Sequence, residues 1–224
     1  MHSRSAEERR AELVELYREA QACARCPLSK TRTQVVFGSG NADADLMFVG
    51  EAPGMHEDQQ GLPFVGRAGQ LLNKLLEELG LTREDVFIAN VLQSRPPGNR
   101  DPQPDEIDAC KPFLHRKVEL IEPKVICTLG NFSTKLLTRS QRGITSVHGR
   151  PQVHELGGRL LRVYPLFHPA AALRSTKTLE ELRTDFARLP ALLEEPPPVP
   201  IGAVAPLAAV AAAPSEQPPP TLFD

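Results

Sequence analysis

The chain predicts an α/β fold, a doubly wound and mostly parallel sheet, on three observations. Four short runs, Leu46 to Val49, Val86 to Leu92, Lys124 to Leu129 and 160–166, are apolar enough to be strands buried on both faces. Between them lie segments with helical apolar spacing, the clearest with leucines at 71, 72, 75, 76 and 79 on one stripe. Strand and helix alternate along the chain, as a parallel sheet with crossover helices requires.

Taken in order, residues 6–21 predict an amphipathic helix with Leu13, Val14, Tyr17 and Ala20 on one side. It delivers the chain to Cys23-Ala24-Arg25-Cys26-Pro27, a turn closed by proline. The stretch 32–40 reads as a short strand or extended loop running into glycine. The first strand, 45–50, empties into a long loop, GEAPGMHEDQQGLPFVG, from Gly50 to Gly66, before the leucine-striped helix of 67–79, for which Gly80 is the stop signal. The second strand, 86–92, opens into the rigid, basic, helix-free loop 93–102. Pro104-Asp105-Glu106 then starts a helix that runs to about Ile121, with proline and acids in its first turn. The third strand, 124–129, ends at Gly130 and leads into a helix over 131–138. Residues 152–156 and 160–166 form a hairpin around Gly157-Gly158, and the second arm is the fourth strand. It ends in Phe167-His168-Pro169-Ala170, and one helix, about 178–193, closes the domain.

The length of 224 residues allows one sizeable domain, assigned to 1–195, with a tail. From 196 to 224 the composition turns to Pro and Ala with almost no charge, which predicts a disordered or polyproline-like segment. The net charge of −2 gives no global basic field, so any nucleic-acid contact rests on a local patch. No signal peptide and no bilayer-length apolar run is present, and a cytoplasmic monomer is the expectation. The pair Cys23 and Cys26 has the spacing of a metal or redox site, whereas Cys127 inside the third strand reads as a small core residue.

In open parallel sheets, ligands bind outside the carboxyl ends of the strands. Here three strand ends carry Glu51, Asn90 and His168, an acid, an amide and an imidazole around one crevice. Phe64, between Pro63 and Val65 in the long first loop, adds a flat apolar face.

Together GEAPG-x-x-ED-x-x-G-x-PFVG-x-AG-x-LL, N-V-x-x-x-RPPGNR-x-P, the His168-Pro169 pair and the N-terminal C-x-x-C resemble the bacterial and archaeal family 4 uracil-DNA glycosylases. The resemblance covers roughly residues 20–190 with the segments in the same order. It implies the superfamily's three-layer fold around a four-stranded parallel sheet, and hydrolytic excision of uracil from single- or double-stranded DNA. In those roles Asn90 supplies the amide complementary to uracil O4 and N3, with Phe64 stacking on the flipped base. Backbone groups at Glu51 and Ala52 line the pocket, and His168 donates to uracil O2 as negative charge develops there. Family 1 enzymes have an aspartate where this chain has Ala52, so Glu57 is the expected water-orienting carboxylate, with Asn99 a second catalytic candidate and Glu51 an alternative acid. Leu173 is expected as the wedge that opens the duplex and Arg174 as a phosphate contact, with Arg95, Arg100, Arg142 and Arg150 forming a basic rim.

The same resemblance implies a 4Fe-4S cluster on four cysteines. Cys23, Cys26 and Cys110 match three of them, and Ser94 stands at the fourth. Three outcomes follow: a cluster with serine or solvent as fourth ligand, a three-cysteine zinc site, or no metal. The retained, more labile cluster, with a structural role, is preferred. The rival reading is a metal-stapled DNA- or uracil-binding protein with little turnover. A covalent uracil-trapping relative is disfavoured by the short RPPGNR loop, and a flavodoxin-like nucleotide binder by the missing phosphate-binding glycine pattern. Finally, Gln217 and Leu222-Phe223 in the tail loosely resemble peptides that dock repair proteins on the sliding clamp.

Overall fold

The computed structural model describes residues 4–199. Most of the tail assigned to 196–224, and the Leu222-Phe223 segment with it, lies outside the described residues.

Ser5 and Glu8 close a capping box that starts α1 (Ala6–Gln21). Its Leu13 and Ala20 are buried as expected, but Val14 and Tyr17 are exposed. Tyr17 instead lays its ring edge-on against Phe37, centroids 5.4 Å apart. Of the stretch 32–40 only β1 (Ser39–Gly40) is a strand. Strand β2 (Leu46–Gly50) is buried throughout. The segment after it is not a single loop, because Met55–Gln60 forms the short helix α2, stopped by Gly61 at φ 70°. Helix α3 (Arg67–Glu77) carries the leucine stripe and β3 (Phe87–Asn90) follows. The loop after β3 is not helix-free: Pro97–Asn99 makes a 3-10 turn around Gly98 at φ 64°. Helix α4 (Pro104–Ile121) begins at a proline, and β4 (Val125–Leu129) and α5 (Asn131–Thr138) match the expectation.

Helix α6 (Ile144–Val147) has only one turn, too short for a periodic signal. The hairpin of β5 (Gln152–Leu156) and β6 (Arg159–Leu166) turns at Gly157 and Gly158, both at positive φ. A one-turn helix, α7 (Pro169–Ala172), starts at His168. The closing helix is two: α8 (Thr176–Phe186) and α9 (Leu189–Glu194). The break precedes Pro190, which has no N–H to continue the ladder.

The sheet order is β1-β3-β2-β4-β6-β5. Its four central strands are parallel, as expected, and β1 and β5 add antiparallel edges. One face packs α1, α4 and α5 over a core with Met47, Val49, Phe113 and Ile126. The other packs α3, α6, α8 and α9 around Phe48, Leu72, Tyr164 and Phe186. Burial of these faces is the main stabilising term, and it fixes the carboxyl ends of β2, β3, β4 and β6 along one edge. No described helix is long and apolar enough to cross a membrane.

Candidate active site

The parallel register sets Gly50 at the end of β2 directly beside Asn90 at the end of β3. A Cβ on Gly50 would lie 2.4 Å from Asn90 Oδ1 and 2.6 Å from Phe64 Cζ. Only glycine lets the amide and the ring approach the same point. A cavity of about 440 Å³ opens there, and its lining includes Glu51, Ala52, Glu57, Phe64, Asn90, Asn99 and His168. The structure therefore brings the expected pocket residues together. Asn90 is 3 % exposed, and among the described residues its amide has no side-chain hydrogen bond, which leaves donor and acceptor to the cavity.

Phe64 is held in a strained conformation, with φ at 53° for a bulky residue. Two flanking clamps account for it. Arg83 donates to the carbonyls of Pro63 (2.6 Å) and Phe64 (3.1 Å), while one oxygen of Glu57 accepts from the N–H groups of Val65 (3.0 Å) and Gly66 (2.9 Å). Arg83 was invisible as a site residue, because it lies 19 positions from Phe64 on an unrelated turn. Gly69 allows the next helix to close on the loop, since a Cβ there would sit 1.7 Å from the Phe64 carbonyl oxygen.

His168 faces Phe64 with ring centroids 5.8 Å apart and planes 28° from parallel. Its Nδ1 accepts the backbone N–H of Ala170 at 3.0 Å, so the neutral ring carries its proton on Nε2. Burial drives the imidazole pKa down to about 4, opposed by the charge of Glu57. At neutral pH the pocket thus holds a neutral imidazole with one N–H to give. Gly130, at φ 93°, lets the end of β4 pass under this ring, 3.1 Å from His168 Cβ at its own absent Cβ.

The acids differ in availability. Glu57 spends one oxygen on the Phe64 loop, and its neighbour Asp58 is buried, accepting the Thr33 N–H at 3.0 and 3.2 Å. The Glu51 carboxyl has no hydrogen bond among the described residues, while the Glu51 backbone carbonyl accepts the Leu92 N–H at 3.0 Å; desolvation, with Asp101 nearby, pushes the carboxyl up from the ordinary range. Asn99 stands on the rim at φ 54°, its Oδ1 accepting from Arg95 Nε at 2.7 Å. Arg100 departs from the expected basic rim: it is ion-paired with the buried Glu106, which also accepts the Gln103 N–H at 2.8 Å. Arg142, Arg150 and Arg174 are exposed. Leu173 ends α7 with 41 % of its surface in solvent.

The cysteines divide as expected. Cys127 is fully buried in β4, on the face opposite the other three. Cys23 and Cys26 pack against the core that contains Cys110. The Cys110 thiol is pushed up by burial and feels Cys26 and Cys23, against a hydrogen bond from the Gln93 N–H. Ser94 is buried alongside: Arg32 donates to its hydroxyl (3.3 Å) and to the carbonyl of Cys23 (2.8 Å). Three thiols and one hydroxyl thus collect at the junction of α1, the end of β3 and α4. Among the described residues no three His, Cys, Asp or Glu side chains converge as closely as a single metal ion requires. Thiolates are the usual ligands of iron–sulfur clusters and of structural zinc alike, so the donor set is of that kind, with one weak position at Ser94.

A strand-end pocket of this composition belongs with a known class. The family model for the uracil DNA glycosylase superfamily matches residues 37–189, and the chain is a member of that superfamily. Its relatives narrow the assignment. The type-4 uracil-DNA glycosylase of Thermotoga maritima is 48% identical over 168 residues, 74% of this chain and 86% of the relative. Those of Saccharolobus solfataricus (45% over 184 residues, 80% and 85%) and Sulfurisphaera tokodaii (44% over 182 residues, 79% and 83%) are similarly close. The chain belongs to the type-4 uracil-DNA glycosylase family.

Proposed function

We propose that this chain excises uracil from DNA, hydrolysing the N-glycosidic bond and leaving an abasic site. The observation that carries this reading is the convergence of the unpaired Asn90 amide, the Phe64 ring and the Nε2–H of a neutral His168 on one cavity. The flipped base stacks on Phe64, and the Asn90 amide pairs with uracil O4 and N3–H. Cytosine reverses that donor and acceptor pattern and would leave buried groups unpaired.

As the bond between N1 and C1′ breaks, the electron pair leaves with the base. The Nε2–H of His168 donates to uracil O2 and stabilises the developing anion, a contribution of about 3 kcal/mol for one well-aimed donor. Glu51 orients the attacking water and accepts its proton as the oxygen joins C1′, because its carboxyl is unengaged and desolvated. Glu57 is assigned instead to holding the Phe64 loop and to lending negative potential beneath the sugar. Asn99 sits at the mouth, where it positions the RPPGNR loop. Leu173 fills the space vacated by the flipped base and Arg174 meets a phosphate; exposure of both side chains supports this.

Cys23, Cys26 and Cys110, with Ser94 as the weak fourth position, would hold a 4Fe-4S cluster whose part is structural. It would pin the end of α1 and the loop after β3, which carries Asn90 at its base, to α4. For the tail, Leu222-Phe223 is proposed to dock on a sliding clamp; calorimetry with the clamp and a chain truncated before Leu222 tests it, and equal binding by both would end that idea. The function itself is tested with a uracil-containing single-stranded oligonucleotide: abasic-site formation is expected, and binding without strand scission after alkali would support the non-catalytic rival.

A further inference from the structure

Lys117 on α4 is the fully buried lysine among the described residues. Its ammonium donates to Gln93 Oε1 at 3.0 Å and to the carbonyl of Phe37, and lies 4.0 Å from the centre of the Phe37 ring. All three partners are neutral. No carboxylate among the described residues pairs with it, although sixteen other ion pairs are made there. Neutral acceptors and a ring offset only part of the cost of desolvating an ammonium, and buried charges are kept where an opposite charge answers them. Burial accordingly pulls this pKa down to about 7, and the single group that raises it is Cys110.

The missing negative charge lies in that direction. Gln93 joins the two sites: its side chain receives Lys117, its backbone N–H donates to Cys110, and its carbonyl accepts the Val36 N–H at 2.8 Å. Ser94 is the next residue. A thiolate-ligated iron–sulfur cluster is anionic, because its ligands carry more negative charge than its core carries positive. We propose that Lys117 is the internal counter-cation of the cluster held at Cys23, Cys26, Cys110 and Ser94, and that its charge sets how firmly the cluster is retained and where its potential lies. This rests on the cluster reading above and assigns a residue that lies outside the ligand set.

The consequence is a pair of effects of opposite sign. With the cluster bound, neutralising Lys117 removes the compensating charge, so iron is lost sooner and the potential falls. In the stripped protein the ammonium has only neutral partners and no opposite charge, so a neutral side chain of similar size raises stability. A lysine kept only for its hydrogen bonds would instead stabilise both forms.

The test uses full-length wild type, Lys117→Met and Lys117→Gln, purified without oxygen. Iron and sulfide per chain, the visible spectrum, the reduction potential and thermal unfolding are measured before and after chelator treatment. Expected are a wild type containing iron and sulfide, neutral variants that lose iron several-fold faster with a lower potential, and stripped variants that melt above the stripped wild type. Equal iron retention and potential in a loaded wild type and both variants would overturn the inference alone. So would neutral variants that melt lower than wild type in the stripped form, or that do not fold. A wild type without iron and sulfide would overturn the cluster reading and this inference together.

Discussion

Arg83 and Glu57 grip the two sides of one residue: Arg83 takes the carbonyls of Pro63 and Phe64, and Glu57 takes the N–H groups of Val65 and Gly66. Phe64 therefore holds a positive φ that an unrestrained chain would leave, and its ring stays against Gly50 and opposite His168.

From this clamp, Arg83→Ala is expected to lower uracil excision at least about tenfold by misplacing the stacking ring, because small displacements of positioning groups are costly. It is also expected to cost about 1 to 3 kcal/mol of stability. Single-turnover rates and thermal unfolding measure both, and a full-rate variant would show that Phe64 does not need the clamp.

The buried His168 makes a second prediction. Its pKa of about 4 means that between the unfolded value near 6.5 and about 4 the unfolded chain binds the proton and the native chain does not. Stability therefore falls as pH drops through that window, by up to about 3 kcal/mol at its lower end. His168→Gln should flatten this loss, and NMR should show the His168 ring titrating near pH 4.

Glu51 gives the third. With its carboxyl raised, activity is expected to fall on the acid side as Glu51 takes a proton. Because Asp101 contributes to raising it, Asp101→Asn should move that acid limb modestly to lower pH. An unmoved limb in Asp101→Asn, or full activity in Glu51→Gln, would return the water to Glu57 or Asn99.

Ser94 gives the fourth. Ser94→Cys is expected to supply a fourth thiolate, raising iron occupancy and slowing cluster loss in air. Elemental analysis and the visible spectrum report it; unchanged iron would show that the fourth corner does not govern retention.

The sheet was legible because β2, β3, β4 and β6 are largely apolar and three of them, β2, β3 and β6, lead into polar residues at their carboxyl ends. The pocket was legible for the same reason: Glu51, Asn90 and His168 follow strands, and parallel strands end together. What was hidden depends on distance in sequence. Arg83 reaches Phe64 across the α3 turn, and Lys117 reaches Gln93 across 24 positions, with no periodic signal to announce either. One-turn helices such as α6 and α7 are too short to show periodicity. Arg100 read as a surface cation because its partner, Glu106, read as helix-starting charge, yet each is spent on the other.

Single-turnover excision from a uracil-containing oligonucleotide by wild type and Asn90→Ala tests the central claim most directly. The account predicts abasic-site formation by the wild type and a rate at least about tenfold lower for Asn90→Ala, with the fold and DNA binding kept. Equal rates for the two proteins, or no excision by the wild type, would contradict it.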